Sequence, residues 1–276
     1  MVFTVLCCGP ALATDDTPGA YLGQLTWPEA ERRLVDTPIV VLPFAAGAKE
    51  HGHHLPMNAD QRVMEYLMDR AVENESVLIA PPILHGWFPS FREFPGTEVS
   101  DPGIFQDYVF SVAESLVRQA AQRIIFFNMG IARATGLPIS IAAREIRAQH
   151  GTPTLVISWD DLETDEVAAF SEQLRAGHAD ETETAINLVL QPENVKMDLA
   201  QVNYGQLPAK DYPGYRPGIM SRKSNDPQYN PLGIMGDPTL ATAEKGRKTL
   251  AIMEAQWLKA LRGFAQMPTP GPEAES

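Results

Sequence analysis

The sequence predicts an α/β fold: a single-domain layered arrangement with a mainly parallel central sheet flanked by helices. Two observations carry that prediction. Several short, β-rich runs are apolar on both faces, and helical patterns fall between them. A strand covered on both sides reads as a continuous apolar run, as the strands of a parallel sheet do. Alternating strand and helix then indicate layers.

In chain order, the predicted strands are Ile39-Val40-Val41-Leu42, Val77-Leu78-Ile79-Ala80, Arg123-Ile124-Ile125-Phe126-Phe127-Asn128 and Thr154-Leu155-Val156-Ile157-Ser158. Helices are expected over residues 60–71, over 105–122 with Val109, Val112, Leu116 and Ala120 apolar, and over 138–149 with Pro138 in the first turn. A last helix is expected over 238–261. Residues 204–237, rich in Pro, Gly and Tyr, are long for a structureless loop and are expected to cover an active site or meet a second subunit.

A chain of 276 residues with 44% hydrophobic residues can bury a large core, and no composition break marks a linker, so residues 14–266 read as one domain. The net charge of −13 argues against nucleic acid or an anionic membrane as partner, because the field repels a polyanion. A small-molecule substrate fits better. Residues 1–13 form an apolar run closed by Ala11-Leu12-Ala13, a small-x-small site, so a signal peptide and a periplasmic or secreted location are expected; the rival is an unstructured cytosolic extension. Both cysteines, Cys7 and Cys8, fall in that run, which leaves the mature chain neither disulfide nor thiol nucleophile. No other apolar stretch approaches the ~18 residues of a membrane span. Residues 267–276, a Pro/Glu/Ser tail, are expected to be disordered.

Ligands of such sheets bind beyond the carboxyl ends of the strands. Three polar segments fall there: 50–60 after the first predicted strand, 128–135 after the third and 159–161 after the fourth. The first is the richest. Of the six histidines, His51, His53 and His54 stand within four positions, flanked by Glu50 and Asp60. Imidazole and carboxylate together are the ligand set of zinc, manganese and related divalent ions. The alternative is a polar loop whose histidines are solvated.

Glu50, His51-Gly52-His53-His54-Leu55-Pro56 and Asp60 resemble the metal loop of the creatininase family. Family-like segments follow in order: Phe94-Pro95-Gly96-Thr97, then His178-Ala179-Asp180-Glu181-Thr182-Glu183-Thr184, then Gly236-Asp237-Pro238-Thr239-Leu240-Ala241-Thr242 with Glu244-Lys245-Gly246. The resemblance implies a dinuclear site for Zn²⁺ and/or Mn²⁺ that activates water for attack on an amide carbon. By the same resemblance Asp60 bridges the metals, His51 and Glu183 are ligands, and His178 passes a proton to the leaving nitrogen. A homo-oligomer, often a hexamer, is also implied.

Two departures from the family pattern stand out. Here Glu50 and His51 are adjacent, whereas the family has one residue between them, and Lys49 takes the family glutamate's place by strict count. Either the loop is reshaped so that Glu50 still binds, or that ligand is gone and Lys49 adds a charge that substitutes electrostatically for a metal. After the third predicted strand the family carries Asn-Gly-His-Gly-Gly-Asn, but this chain reads Asn128-Met129-Gly130-Ile131-Ala132-Arg133, with Gly130 where the ligand histidine falls. It resembles a divergent branch in which Asp180 or His54 supplies the missing ligand or one metal remains. One zinc on three protein ligands suffices for hydrolysis in other enzymes.

Weaker candidates are substrate contacts. Trp159 and Trp87 suit a planar substrate, against packing as the commoner role of an aromatic. Arg133 suits a substrate carboxylate, against a surface ion pair. Asn128 stands at the end of the third predicted strand; His85 follows the second and is as readily structural. Asp160-Asp161 reads as a helix start. The expected function is a metal-dependent amidohydrolase acting on a non-peptide C–N bond of a small molecule, such as a cyclic amide, lactam or formamide. The rival is a non-catalytic, exported, oligomeric binding protein on a degenerate scaffold. A serine hydrolase has no Gly-x-Ser-x-Gly elbow to support it.

Overall fold

A computed structural model describes residues 18–130, 136–174, 176–204, 220–226 and 229–268. The predicted signal segment and Arg133 lie outside the described residues, as do nearly all of the tail and part of 204–237. The strands are β1 (Ala20–Tyr21), β2 (Ile39–Ala45), β3 (Val77–Ile79), β4 (Ile124–Met129) and β5 (Thr154–Ser158). They form one parallel sheet in the order β1-β3-β2-β4-β5. The helices are α1 (Trp27–Asp36), α2 (Ala59–Asn74), α3 (Pro102–Arg118), α4 (Gly136–His150), α5 (Trp159–Leu162), α6 (Asp165–Ala168), α7 (Glu181–Leu190) and α8 (Ala243–Gln266).

Period-two alternation divides the strand side chains between two cores. Ile39, Val41, Ala45, Ile79, Ile125, Phe127 and Ile157 face α2, α7 and α8. Val40, Leu42, Phe44, Leu78, Ile124 and Phe126 face α1, α3 and α4. Every residue of β2 is buried, which is why its sequence shows no polar alternation. Pro43 is tolerated in this central strand because its missing N–H would face the β3 side, where pairing has already ended at Val41–Ile79. Its carbonyl instead accepts from Ile83 N–H at 2.9 Å.

All four predicted strands and all four predicted helices are present, with shifted ends. The third helix stops at Arg118 rather than 122 because Ala120 turns left-handed (φ 75°), and Ala120 and Ala121 N–H close on the carbonyls of Val117 and Leu116. The last helix begins at Ala243: the Thr242 hydroxyl accepts from Lys245 N–H, and residues 238–240 form a separate 3₁₀ turn capped by Asp237. The strand β1 and the helices α1, α6 and α7 are additional to the pattern, and α5 forms where Asp160-Asp161 reads as a helix start. β1 has only two residues, and α1 buries just Leu34, so neither carries a strong apolar signal.

Trp257 keys α8 to the sheet. It is fully buried, its indole N–H donates to the Leu67 carbonyl at 3.0 Å, and its ring meets Phe127 at 4.5 Å between centroids. Trp257→Ala is expected to lower stability by about 3–5 kcal/mol through the cavity left behind and the lost indole hydrogen bond. Urea denaturation measures this; a loss below ~1 kcal/mol would show that α8 is anchored elsewhere.

Candidate metal centre

The site forms where β2 runs out into the loop before α2. Lys49 is pinned at both backbone ends: its N–H donates to the Met57 carbonyl at 3.0 Å and its carbonyl faces His51 Nδ1 at 2.9 Å. The Lys49 side chain is 2% exposed, with Nζ 2.6 Å from Asp60 Oδ2 and 5.3 Å from the centre of the Phe91 ring. The other Asp60 oxygen lies 2.9 Å from His51 Nε2. Burial works against the Asp60 anion, but the charge of Lys49, followed by His51, holds the carboxyl well below its ordinary range.

A second chain segment closes the site from the other side. His178 pairs with Met235 in a two-residue antiparallel bridge, and its ring stacks between Phe91 and His51 at 4.3 and 4.9 Å. Nε2 faces two acceptors, the Glu50 carbonyl at 2.8 Å and Glu50 Oε2 at 3.2 Å, which place its proton there and leave Nδ1 free to face Glu183 Oε2 at 3.6 Å. Ala179 is left-handed (φ 48°) although it carries a side chain, a conformation of about 1–2 kcal/mol in cost. That turn aims His178 inward, lets Ala179 N–H donate to Glu183 Oε2 at 2.6 Å, and delivers Asp180 to the start of α7.

His51, His178 and Glu183 thus converge: one ligand atom from each lies within 4.8 Å of the others, the one group of three donors of this kind among the described residues. These donors suit a divalent ion. With Nδ1–H donating to the Lys49 carbonyl, His51 Nε2 faces the Asp60 carboxylate at 2.9 Å, an arrangement that needs positive charge there, whether a second ring proton or a divalent ion. Burial pushes the Glu183 carboxyl up to about 7, against the opposing pull of His178 and Lys49.

The other predicted site residues fall in different places. Glu50 is buried beside the cluster, with its carboxylate accepting from Gly52 N–H and facing His178 Nε2. Gly233 (φ 66°) must be glycine, since a Cβ would stand 1.8 Å from Glu50 Oε1. This places the end of the 204–237 stretch against the site. His54 is buried with Nε2 2.8 Å from Thr184 Oγ1, and burial, then His51, lowers its imidazole to about 4, so it is neutral near pH 7. Asp180 is a correction: both its oxygens are occupied, one by Thr182 and Glu183 N–H as the α7 cap and one by Gly177 N–H and Gln173 Nε2, so it has no free electron pair aimed at an ion.

Asn128, the next-to-last residue of β4, has Oδ1 accepting from Gly130 N–H and a buried Nδ2 without a partner among the described residues. Trp159 opens α5, packs against the α2/α7/α8 core and donates to Glu163 at 2.7 Å, which is packing and not the substrate contact expected of it. Asp161 joins Ser158 in a capping box, as a helix start requires. His53 and His85 are exposed, His85 paired with Glu98, and Trp87 packs against the α3/α4 core. Sequence reasoning missed Phe91, which covers both His178 and the Lys49 ammonium. It stands in an aperiodic loop where an aromatic carries no signal of what it will touch.

A parallel sheet with two buried histidines and a half-buried glutamate gathered at one edge defines an α/β protein with a candidate divalent-metal centre. The chain belongs to the creatininase family, whose model, described as creatinine amidohydrolase, matches residues 23–261. Similar curated proteins include a mycofactocin precursor peptide peptidase of Mycolicibacterium smegmatis, 28% identical over 225 residues, covering 78% of this chain and 81% of the relative. The creatinine amidohydrolase of Pseudomonas putida is 25% identical over 249 residues, covering 84% and 92%. A creatininase variant solved in a zinc–zinc form superposes with a TM-score of 0.74 at 24% identity over 90% of this chain and 98% of that one. A manganese creatininase gives 0.71 at 23%, over 90% and 100%. These likenesses bear out the predicted layered fold.

A pH signature follows from Glu183. Its folded value of about 7 lies above the ordinary 4.5, so between those values the folded, metal-free protein holds a proton that the unfolded chain releases, and stability falls as pH rises. Glu183→Gln should remove that component. His54, lowered from 6.5 to about 4, tilts the curve the other way and is common to both proteins. Urea melts of chelator-treated protein at several pH values between 4.5 and 7.5 measure the difference; parallel curves for native and variant would exclude it.

Proposed function

We propose that the protein is a metal-dependent hydrolase of a non-peptide C–N bond in a small molecule, such as a cyclic amide, lactam or formamide. The observation that carries this reading is the convergence of His51, His178 and Glu183. Membership in a family whose relatives are named hydrolases, amidohydrolases and peptidases supports the hydrolase part of this reading, and the amidohydrolases support the non-peptide part. A binding protein on a degenerate scaffold has no need of two buried histidines and a glutamate converging on one point.

His51, His178 and Glu183 would hold one divalent ion, zinc or manganese. When bound, such an ion polarises a carbonyl and lowers the pKa of water toward neutrality. The protein's own groups orient that chemistry. The Lys49 carbonyl fixes the proton of His51 on Nδ1, and Glu50 fixes the proton of His178 on Nε2, so each ring presents a lone pair to the cluster. Phe91 covers the His178 ring and limits water there. Lys49 keeps Asp60 ionised beside His51. Residues 1–13 support export, and the resemblance to the creatininase family supports a homo-oligomer.

Chelation should abolish turnover of a panel of cyclic amides, lactams, N-formyl compounds and short peptides, and Zn²⁺ or Mn²⁺ should restore it. Activity on peptides alone would replace the non-peptide assignment, and full activity in chelator would sink the metal reading. His178→Ala is expected to lose bound metal and to lower kcat/KM by at least about 10²-fold. Full metal content with turnover lost would make His178 a proton carrier and not a ligand.

A further inference from the structure

Lysine is almost never fully buried unless it is paired, so a lysine that is 1% exposed at a metal centre calls for an account. The geometry points to Lys49 as a built-in cation that stands in the place of a second divalent ion. Its ammonium is 2.6 Å from Asp60 Oδ2, while Asp60 Oδ1 is already beside His51 Nε2. A second ion using Asp60 would have to share the carboxylate with this ammonium, and two like charges at that distance in a buried site repel strongly. The Lys49 backbone is hydrogen-bonded at both N–H and carbonyl, and the Phe91 face lies on its other side.

The remaining donors agree with a single ion. His51, His178 and Glu183 form one group, and the position after β4 where the family histidine falls is Gly130. Lys49 itself stands where strict count puts the family glutamate. One change therefore removes a ligand and supplies a positive charge in its stead. A carboxylate that would otherwise bridge two ions is held by an ammonium that chelators cannot extract.

This inference deepens the hydrolase reading but is tested separately, by counting ions. The full chain is stripped with chelator, reloaded with excess Zn²⁺ or Mn²⁺, freed of unbound ion and analysed for metal per folded subunit, in the native protein and in Lys49→Glu. The expected result is one ion in the native protein and two in Lys49→Glu, where a carboxylate replaces the ammonium next to Asp60. Two ions in the native protein, or equal counts in the two folded proteins, would overturn it. If Lys49→Glu does not fold by circular dichroism, the native count decides: two overturns the inference, and one or none supports it. No ion in the native protein and one in Lys49→Glu would leave the inference standing and remove the native hydrolase reading.

Discussion

The ion pair between Lys49 and Asp60 is the contact on which the rest of the site depends. It joins the loop after β2, four residues past Ala45, to the first turn of α2, closing that loop over a buried core. His51 takes its position from that closure, with one ring nitrogen against the Lys49 carbonyl and the other against Asp60. Buried ion pairs are seldom a net gain over packed apolar groups, because desolvation offsets the attraction. Removing one partner, however, leaves a buried charge unpaired, typically at about 3–5 kcal/mol. The pair therefore acts less as a source of stability than as a constraint: once it is buried, the loop has few alternative arrangements.

The opposite wall rests on a backbone device. Ala179 takes a left-handed conformation at the junction between the His178–Met235 bridge and α7. Asp180 holds the turn by capping α7 with one oxygen and by bonding Gly177 and Gln173 with the other. The result brings His178 and Glu183, five positions apart in sequence, to one point, although they belong to different kinds of local structure. A capped helix whose first turn carries a carboxylate would ordinarily display it to solvent. Here the preceding turn folds back, and the Glu183 carboxylate receives the Ala179 N–H instead.

Charge at the centre leans negative. Glu50, Asp60 and Glu183 supply three carboxyls, and Lys49 supplies the one fixed positive charge among the groups described at their core. Two histidines and a carboxyl that burial pushes up to about 7 surround it. Such an arrangement tolerates one added divalent cation more readily than a purely cationic or fully paired cluster. Burial beneath Phe91 and the end of the 204–237 stretch keeps those interactions in a medium less polar than water, which strengthens them.

The sequence by itself determined the layers and most of the donors. Uninterrupted apolar runs can only be strands covered on both faces, and a histidine-rich loop after the first of them can only lie at the carboxyl edge of the sheet. His51 and Glu183 were legible as donors for that reason and through the family likeness, as was the question of Lys49; His178 was legible as a proton carrier and not as a donor to an ion. What only the tertiary structure decided is how the candidates are used. Asp180 had the right chemistry for a ligand but spends its oxygens on backbone N–H groups, and Trp159 finds a core to pack against. Phe91 acquires its role only where two distant segments meet. Local pattern reports which face a residue prefers, whereas hydrogen-bond partners separated by more than a hundred positions, such as Glu50 with His178, are fixed only when the chain closes on itself.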